Sequence, residues 1–371
     1  MTSKLIKFEY IAALFGMLSS IALIRMLGTD YKAFLAELMA ANAIYLSIGL
    51  FGITIVLQKD FHKMGKNIIL ISIIIPFFIC FIDYIFNISH TEGKYSIFLK
   101  MFFLITFCLS TLLASAFISN REIIYYFIVI ISPSLVIMTL IIMNNIIVFE
   151  IHEFFYLYSI LNFLVLAILF ARFRHPFRSN YSYKDAVYQG LKFSPYNILQ
   201  ALPINLIYLC FLDSARDIAI FSVIISVSQF INKIPRLFFQ LNLSRKEKTY
   251  KDYAYIKKVN FIFTIIIISL SILFLEPIYD FRREEYAIPL CIILISNLFL
   301  PAISKFDSDN FVRNNFMIVY LHRSTCLIIF SIAFVSNIFE QKIIFACILL
   351  FLIRFIYGFL VKIGTRESDE A

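Results

Sequence analysis

Charged residues are scarce in this sequence, and their scarcity decides its broad class. Asp, Glu, Lys and Arg make up 15% of the 371 residues, and hydrophobic residues make up 61%. A soluble domain has about 25% charged residues. Apolar segments of about 18 residues or more recur from end to end, which indicates membrane-spanning helices and not the short alternating strands of a barrel. We therefore predict an all-α, polytopic membrane protein.

Metal, redox and nucleic-acid motifs are also missing. The six cysteines are isolated in apolar runs without a C-x-x-C pair, which predicts packing roles. The five histidines show no metal-ligand spacing. The net charge of +9 accompanies no nucleic-acid-binding motif and is typical of cytoplasmic loops that collect Lys and Arg. We predict no metal, no cofactor and no nucleic-acid partner.

The apolar runs predict about twelve spans in one orientation. Lys4 and Lys7 precede the first run without a small-residue cleavage site, which predicts a span and not a signal peptide. With the N-terminus inside, the inner segments hold 20 Lys or Arg, and the outer segments hold 8 when Lys100 at a span edge is counted with them. This asymmetry predicts that both termini lie in the cytoplasm. The predicted spans are 8–24, 34–57, 68–88, 97–118, 123–148, 154–171, 188–212, 218–240, 259–279, 286–303, 315–336 and 343–363.

A long polar loop divides the chain midway. We predict an N-terminal six-helix lobe (1–171), a cytoplasmic linker (172–187) and a C-terminal six-helix lobe (188–371). Lys7-Phe8 matches Lys192-Phe193 at an offset of 185, and a six-span separation gives both halves the same orientation. Two-lobed transporters share this parallel repeat, with the substrate between the lobes. A second loop (242–258) is either a solvated basic loop or an amphipathic helix on anionic lipid.

A polar seam follows the eighth predicted span. Its six residues are spaced by 4, 3, 4, 3 and 4, so they share one helical face. Lipid tolerates such a face poorly, which predicts that it borders protein or a water-filled cavity. Pro235 lacks an N–H and predicts a kink. The seam consists of Ser222, Ser226, Gln229, Lys233, Arg236 and Gln240.

Apart from Lys100 at the outer edge of its span, five cations fall inside the predicted spans, where each costs about 2.5–3.5 kcal/mol on insertion scales. Snorkelling to the headgroups stays open for those near span ends, and Arg323 and Arg354 favour a lumen or a helix–helix contact. The span anions (Glu37, Asp83, Glu276) lie near the predicted outer ends. This cationic bias predicts an anionic ligand such as a phosphate or diphosphate. The five cations are Lys192, Lys233, Arg236, Arg323 and Arg354.

Milder polar stripes mark the second and seventh predicted spans. The second carries Glu37, Ala41 and Tyr45, and the seventh carries Asn197, Ala201, Asn205 and Tyr208. Helix packing through hydrogen bonds and a cavity lining are equally open for both stripes.

Two segments resemble a known family. The first is "IALIRMLGTDYKAFLAELMAANAIYLSIGLFGITIVLQK", and the second combines "GLKFSPYNILQALPINLIYL" with "IAIFSVIISVSQFINKIPRLFFQLNLSRK". They resemble polysaccharide flippases of the Wzx type in the MATE/MOP exporter superfamily, over most of residues 8–60 and 188–246. The chain departs from that family in lacking a thirteenth and a fourteenth span. The matching residues of the first half are Arg25, Leu27, Gly28, Tyr31, Phe34 and Phe51-Gly52.

The resemblance implies a non-enzymatic flippase of the bacterial inner membrane. It would move an undecaprenyl-diphosphate-linked oligosaccharide by alternating access for O-antigen, capsule or other surface polysaccharide. Its partners would be this lipid-linked oligosaccharide, membrane lipids and other polysaccharide-assembly membrane proteins. Arg25 is at a matched family position, whereas the other contacts depend on the polar residues above. We expect the diphosphate to contact Arg25, Lys192, Lys233, Arg236 and Arg323, and sugar hydroxyls to contact Asn205 and Gln229.

Three other classes of protein remain open. A polysaccharide polymerase or ligase would carry a large outer loop, whereas the longest predicted here has about nine residues. A MATE-type small-molecule antiporter would require a buried carboxylate early in its first lobe, where this chain has only Glu9, at the predicted cytoplasmic edge. A membrane scaffold or receptor would need a protein partner for the seam.

Overall fold

The computed structural model describes most of the chain as helices. The described ranges are 2–50, 52–60, 66–86, 97–173, 182–208, 212, 214–245, 250–279, 281–313, 315–336 and 342–369, without some side chains near their ends. No strand occurs in these ranges. Nine of the described helical segments are long and apolar enough to span a membrane. These findings confirm the predicted all-α, polytopic fold class.

The first compact unit covers Met1–Ala201. In it, α1 packs against α6, α5 packs against α4 and α7, and α3 packs against α8. Leu38, Phe103, Leu140 and Phe154 belong to one of its apolar cores. The helices are α1 (Thr2–Leu27), α2 (Thr29–Gly49), α3 (Ile53–Asp60), α4 (Lys66–Phe86), α5 (Ile97–Ser119), α6 (Ile123–Asn144), α7 (Ile151–Arg172), α8 (Tyr183–Leu191) and most of α9 (Ser194–Leu206).

The second compact unit covers Leu202–Ala371. Here α10 packs against α13, and α15 packs against α12 and α14. The division into lobes at 172–187 stays a prediction. The helices are α10 (Ala215–Arg245), α11 (Tyr250–Tyr279), α12 (Arg283–Ser296), a 3-10 turn (Asn297–Phe299), α13 (Leu300–Val312), α14 (Phe316–Ser336) and α15 (Lys342–Asp369).

Two predicted spans are interrupted in the structure. The second breaks between α2 and α3, where Gly52 has φ +70°. The seventh breaks between α8 and α9, at Lys192 and Phe193. The two breaks meet, because a Cβ on Gly52 would lie 2.3 Å from the Gly190 carbonyl oxygen and 2.8 Å from Phe193 Cβ. The backbone at Gly52 therefore comes closer to Gly190 and Phe193 than a residue with a Cβ would permit.

The segment 304–314 was predicted as an inner loop, and that prediction is wrong. Residues 283–312 form one apolar segment in which α12, the 3-10 turn and α13 follow each other directly. Four charged residues between 305 and 313 made this stretch resemble a loop. One of them, Asp307, is buried and paired with Arg323 and is therefore not a solvated loop residue.

Candidate functional site

The polar seam lies on α10 and passes from a buried to an accessible environment. Ser222 is buried. The half-buried Ser226 donates from its Oγ to the backbone carbonyl oxygen of Ser222 at 2.7 Å. Further along, Gln229 is exposed and Lys233 is half-buried. The helix continues through Pro235 and Arg236. The side chains of Arg236 and Gln240 lie outside the described part of the structure.

The face of α10 beside the seam carries a buried polar junction that the sequence analysis did not predict. Asn297, in the 3-10 turn, is fully buried, and its Oδ1 accepts from Ser228 Oγ at 3.2 Å. Its backbone carbonyl accepts from Asn260 Nδ2 of α11 at 3.0 Å. Asn232 Nδ2 donates to Ser228 Oγ at 3.3 Å. The junction therefore joins α10 and α11 to the point where the helix 283–312 changes geometry.

Arg354 completes this junction from α15. Its Nη1 donates to Ser296 Oγ at 2.7 Å and to Asn297 Oδ1 at 2.6 Å. These contacts agree with the predicted alternative of a helix–helix contact for this mid-span cation. Two neutral oxygens thus accept from the guanidinium, and hydrogen bonds to a charged donor are stronger than neutral ones.

A second cluster in the same unit surrounds Asp307, which is fully buried. Arg323 of α14 forms an ion pair with its Oδ2, and the Tyr357 hydroxyl donates to its Oδ1. The Arg323 guanidinium carbon also lies 5.0 Å from the centre of the Tyr357 ring. His322 stacks on Phe306 with ring centroids 5.3 Å apart. Arg323, a predicted diphosphate contact, is therefore already paired with a carboxylate.

Carboxylates are also buried in the first unit. Glu9 is 6% exposed and accepts a hydrogen bond from the Tyr126 hydroxyl. Asp83 is 7% exposed, and its Oδ2 accepts from the Tyr45 hydroxyl at 2.5 Å. Glu9 is buried because α6 packs against α1, whereas its predicted place at the cytoplasmic edge of the span stays a prediction. The interior of the chain therefore holds both signs of charge.

The remaining predicted contacts are more accessible. Arg25 is exposed in the last turn of α1. Lys192 is exposed at the C-terminal end of α8, with its Nζ 5.4 Å from the centre of the Tyr188 ring. It was predicted to lie inside a span, whereas the structure places it at a helix break. Asn205 is half-buried on α9.

The structure brings only some of these residues together. Gln229 and Lys233 share a face of α10, while Arg323 is held on α14 by Asp307. Within the described residues, no group of three His, Cys, Asp or Glu side chains could hold a metal ion. The cysteines described as free thiols are Cys80, Cys108, Cys291 and Cys347, and the first two and the last are buried.

Comparisons with known proteins find similarity at the level of structure. No protein-family model and no curated protein sequence matches the chain. An inward-facing multidrug resistance MATE family transporter of the MOP superfamily matches with a TM-score of 0.69 and 13% identity, over 96% of this chain and 94% of that one. The MATE multidrug transporter DinF-BH, in complex with rhodamine 6G, matches with a TM-score of 0.69 and 14% identity, over 99% and 94%.

A third solved structure, a MATE protein in complex with MaL6, matches with a TM-score of 0.52 and 10% identity, over 99% of this chain and 94% of that one. These identities are low, so the likeness concerns the fold. Its coverage of nearly the whole of each chain excludes a match to a shared fragment. The chain therefore has the polytopic helical fold of MATE transporters of the MOP superfamily.

Proposed function

We propose that this chain is an alternating-access transporter that carries an undecaprenyl-diphosphate-linked oligosaccharide across the bacterial inner membrane for surface polysaccharide biosynthesis. The observation that carries the proposal is the accessible face of α10, with Gln229 exposed and Lys233 half-buried on a segment long and apolar enough to span a membrane. An amide and an ammonium are costly against lipid, so this face is expected to border water. The transporter fold of the solved neighbours supports the same class.

The proposed substrate contacts follow from the chemistry of a diphosphate. Lys233 and Arg236 supply positive charge from one face of α10, and Arg25 and Lys192 supply it from exposed positions. Amides such as Gln229 and Asn205 suit sugar hydroxyls, because they both donate and accept. Arg323 already pairs with Asp307 through Nη2, so a phosphate would compete with this carboxylate or accept from another N–H of the guanidinium.

The proposal includes a topology and partners. Both termini lie in the cytoplasm, as the distribution of Lys and Arg predicts. Lipid-linked oligosaccharide is the substrate, membrane lipids surround the spans, and other polysaccharide-assembly membrane proteins deliver or receive the glycan.

Deletion and complementation test the proposal. Loss of the gene should leave lipid-linked oligosaccharide on the cytoplasmic leaflet and remove surface glycan. Lys233→Ala with Arg236→Ala should insert normally yet fail to restore surface glycan, because the diphosphate loses two cations. Lys257→Ala with Lys258→Ala removes two exposed cations from α11 of the same unit and should complement fully. Normal surface glycan in the deletion strain would refute the proposed function.

A second candidate, a cation-coupled small-molecule antiporter, is favoured by one specific observation. Glu9 is a buried carboxylate on the first helix, held by Tyr126. A solved neighbour binds rhodamine 6G. If this candidate is correct, cells expressing the chain extrude rhodamine 6G, and Glu9→Gln abolishes extrusion while preserving an acceptor for Tyr126. The flippase proposal predicts that neither the wild-type chain nor its Glu9→Gln variant extrudes this compound.

A further inference from the structure

An open cavity of about 610 Å³ lies at one end of the first unit. The N-terminal turns of α1 and the short turn between α5 and α6 form its walls. Both belong to the ends of membrane-spanning segments, since the candidate spans are 4–27, 97–119 and 123–144. The cavity is therefore expected at the boundary between membrane and water. Its lining residues are Lys4, Lys7, Phe8, Arg121, Glu122, Ile123, Ile124 and Tyr125.

The charge of this cavity is predominantly positive. Lys4, Lys7 and Arg121 are all exposed, and none of them forms an ion pair within the described residues. Glu122 is the one acidic residue of the lining. Three cations and one carboxylate give a net positive site, which complements an anion.

Arg121 occupies a backbone position that ordinarily selects glycine. The N–H of Glu122 donates to the Phe117 carbonyl at 2.9 Å, and the N–H of Arg121 donates to the Ile118 carbonyl at 3.2 Å. These two bonds form a Schellman motif at the end of α5, in which the residue in the position of Arg121 is left-handed. Arg121 has φ 62°, a conformation that L side chains rarely adopt. Arginine persists here despite an unfavourable backbone, which indicates a role for its side chain.

Glu122 supplies a second, independent indication of a ligand. Its Oε1 accepts from Asn120 Nδ2 at 2.6 Å. Its Oε2 is buried and has no hydrogen-bond partner within the described residues. Buried carboxylate oxygens are normally satisfied, so a donor from outside the chain is expected at this atom. A ligand that carries both an anion and a hydroxyl donor would complement the three cations and Glu122 together.

Apolar groups lie directly beside these charges. Phe8 stacks on Phe127 with ring centroids 4.5 Å apart, which fixes one wall. Ile124 is 68% exposed next to the cations. An apolar surface adjoining a cationic cavity at a span end is suited to a molecule that has a charged head and an acyl chain.

We propose that this cavity binds the headgroup of an anionic glycerophospholipid. The lipid phosphate contacts Lys4, Lys7 and Arg121, a hydroxyl of the headgroup donates to Glu122 Oε2, and the acyl chains follow Ile124 and the outer surface of α6. This site shares no residue with the proposed substrate contacts on α10. It assigns a function to the turn between α5 and α6 that does not depend on which molecule is transported.

Native mass spectrometry of the purified full-length chain tests the proposal. Phosphatidylglycerol and phosphatidylcholine with identical acyl chains serve as probes, and inorganic phosphate serves as a competitor. The wild-type chain should retain phosphatidylglycerol about fivefold better than phosphatidylcholine, because the cations favour a net anionic headgroup. Equal retention of the two lipids, or displacement of phosphatidylglycerol by inorganic phosphate at millimolar concentration, would overturn the assignment to a lipid.

Variants at the turn separate lipid binding from folding. Arg121→Gly removes a cation and relieves the left-handed strain, so thermal stability should be equal or higher while phosphatidylglycerol retention falls about fivefold. Lys7→Gln should lower retention similarly. Arg172→Gln, which removes an exposed cation at the end of α7 in the same unit, should retain the lipid as the wild type does. Unchanged retention in Arg121→Gly, or an equal loss in Arg172→Gln, would contradict a specific site.

Discussion

Asp307 is a buried charge whose neutralisation depends on residues far away in the chain. Arg323 and Tyr357 both contact it, from α14 and α15. Asp307→Asn should lower the free energy of unfolding by about 3 kcal/mol or more, because it leaves the Arg323 guanidinium without its counter-charge in a buried site. Reversible SDS unfolding of the purified protein measures this loss.

The exposed pair Arg216–Glu285 provides the matched control. Its atoms are 2.9 Å apart, with side-chain exposures of 49% and 30%. Glu285→Gln should cost less than about 1 kcal/mol, since exposed ion pairs contribute little and Gln preserves the capping box. Combining Asp307→Asn with Arg323→Gln should recover part of the loss. A cost for Asp307→Asn no larger than that for Glu285→Gln would contradict a structural role for the cluster.

Single residues were also the hardest features to predict from the sequence. Arg354 could be assigned to a helix contact, because a mid-span cation needs a partner wherever it lies. Asp307 was missed, since its partners follow 16 and 50 residues later and its neighbours are charged. Glu9 was underestimated because its burial depends on α6, which sequence periodicity cannot place.

At the scale of elements, the two facing helix breaks determine how α2, α3, α8 and α9 meet. Gly52→Ala should destabilise the protein by about 2 kcal/mol or more, because it adds left-handed strain to a collision with the Gly190 carbonyl. Gly28 also has a positive φ, of 101°, but has nothing within 4 Å of an added Cβ. Gly28→Ala should therefore avoid a collision and cost only the strain of its glycine-type backbone (φ 101°, ψ 172°), about 1–3 kcal/mol. Unfolding free energies of the purified variants measure both.

Gly16→Ala completes the comparison. Its added Cβ would be 3.7 Å from Ser134 Oγ, an ordinary contact, inside a regular helix. Alanine favours a helix interior, so this change should be neutral or slightly stabilising. If all three glycine variants lost the same stability, the close approach of the two breaks would not be the cause.

Long elements were predictable, and their interruptions were not. The eighth predicted span corresponds to α10, because apolar length alone identifies it. Gly52 is itself a local signal for a break, but its close approach to Gly190 is long-range, and no local pattern predicts that contact. For α8 a local signal did exist. Ser182 and Asp185 form a capping box, an S-x-x-D pattern that predicts a helix start inside the presumed linker.

At the scale of the whole molecule, composition predicted an all-α polytopic membrane protein. Similarity to solved structures then identified the fold as that of MATE transporters. Low identity of 13–14% to solved MATE transporters leaves the substrate undetermined by fold. The seam cations favour a diphosphate, whereas Glu9 favours an antiporter. Transport by the purified chain distinguishes these two functions.

The most direct measurement is flipping of a fluorescent undecaprenyl-diphosphate-linked oligosaccharide in proteoliposomes, followed by quenching with a membrane-impermeant reductant. Wild-type protein should expose the inner-leaflet label to the reductant, and the variant combining Lys233→Ala with Arg236→Ala should leave it protected. Protection equal to that in protein-free vesicles, together with rhodamine 6G transport by the same preparation, would contradict the flippase proposal in favour of the antiporter.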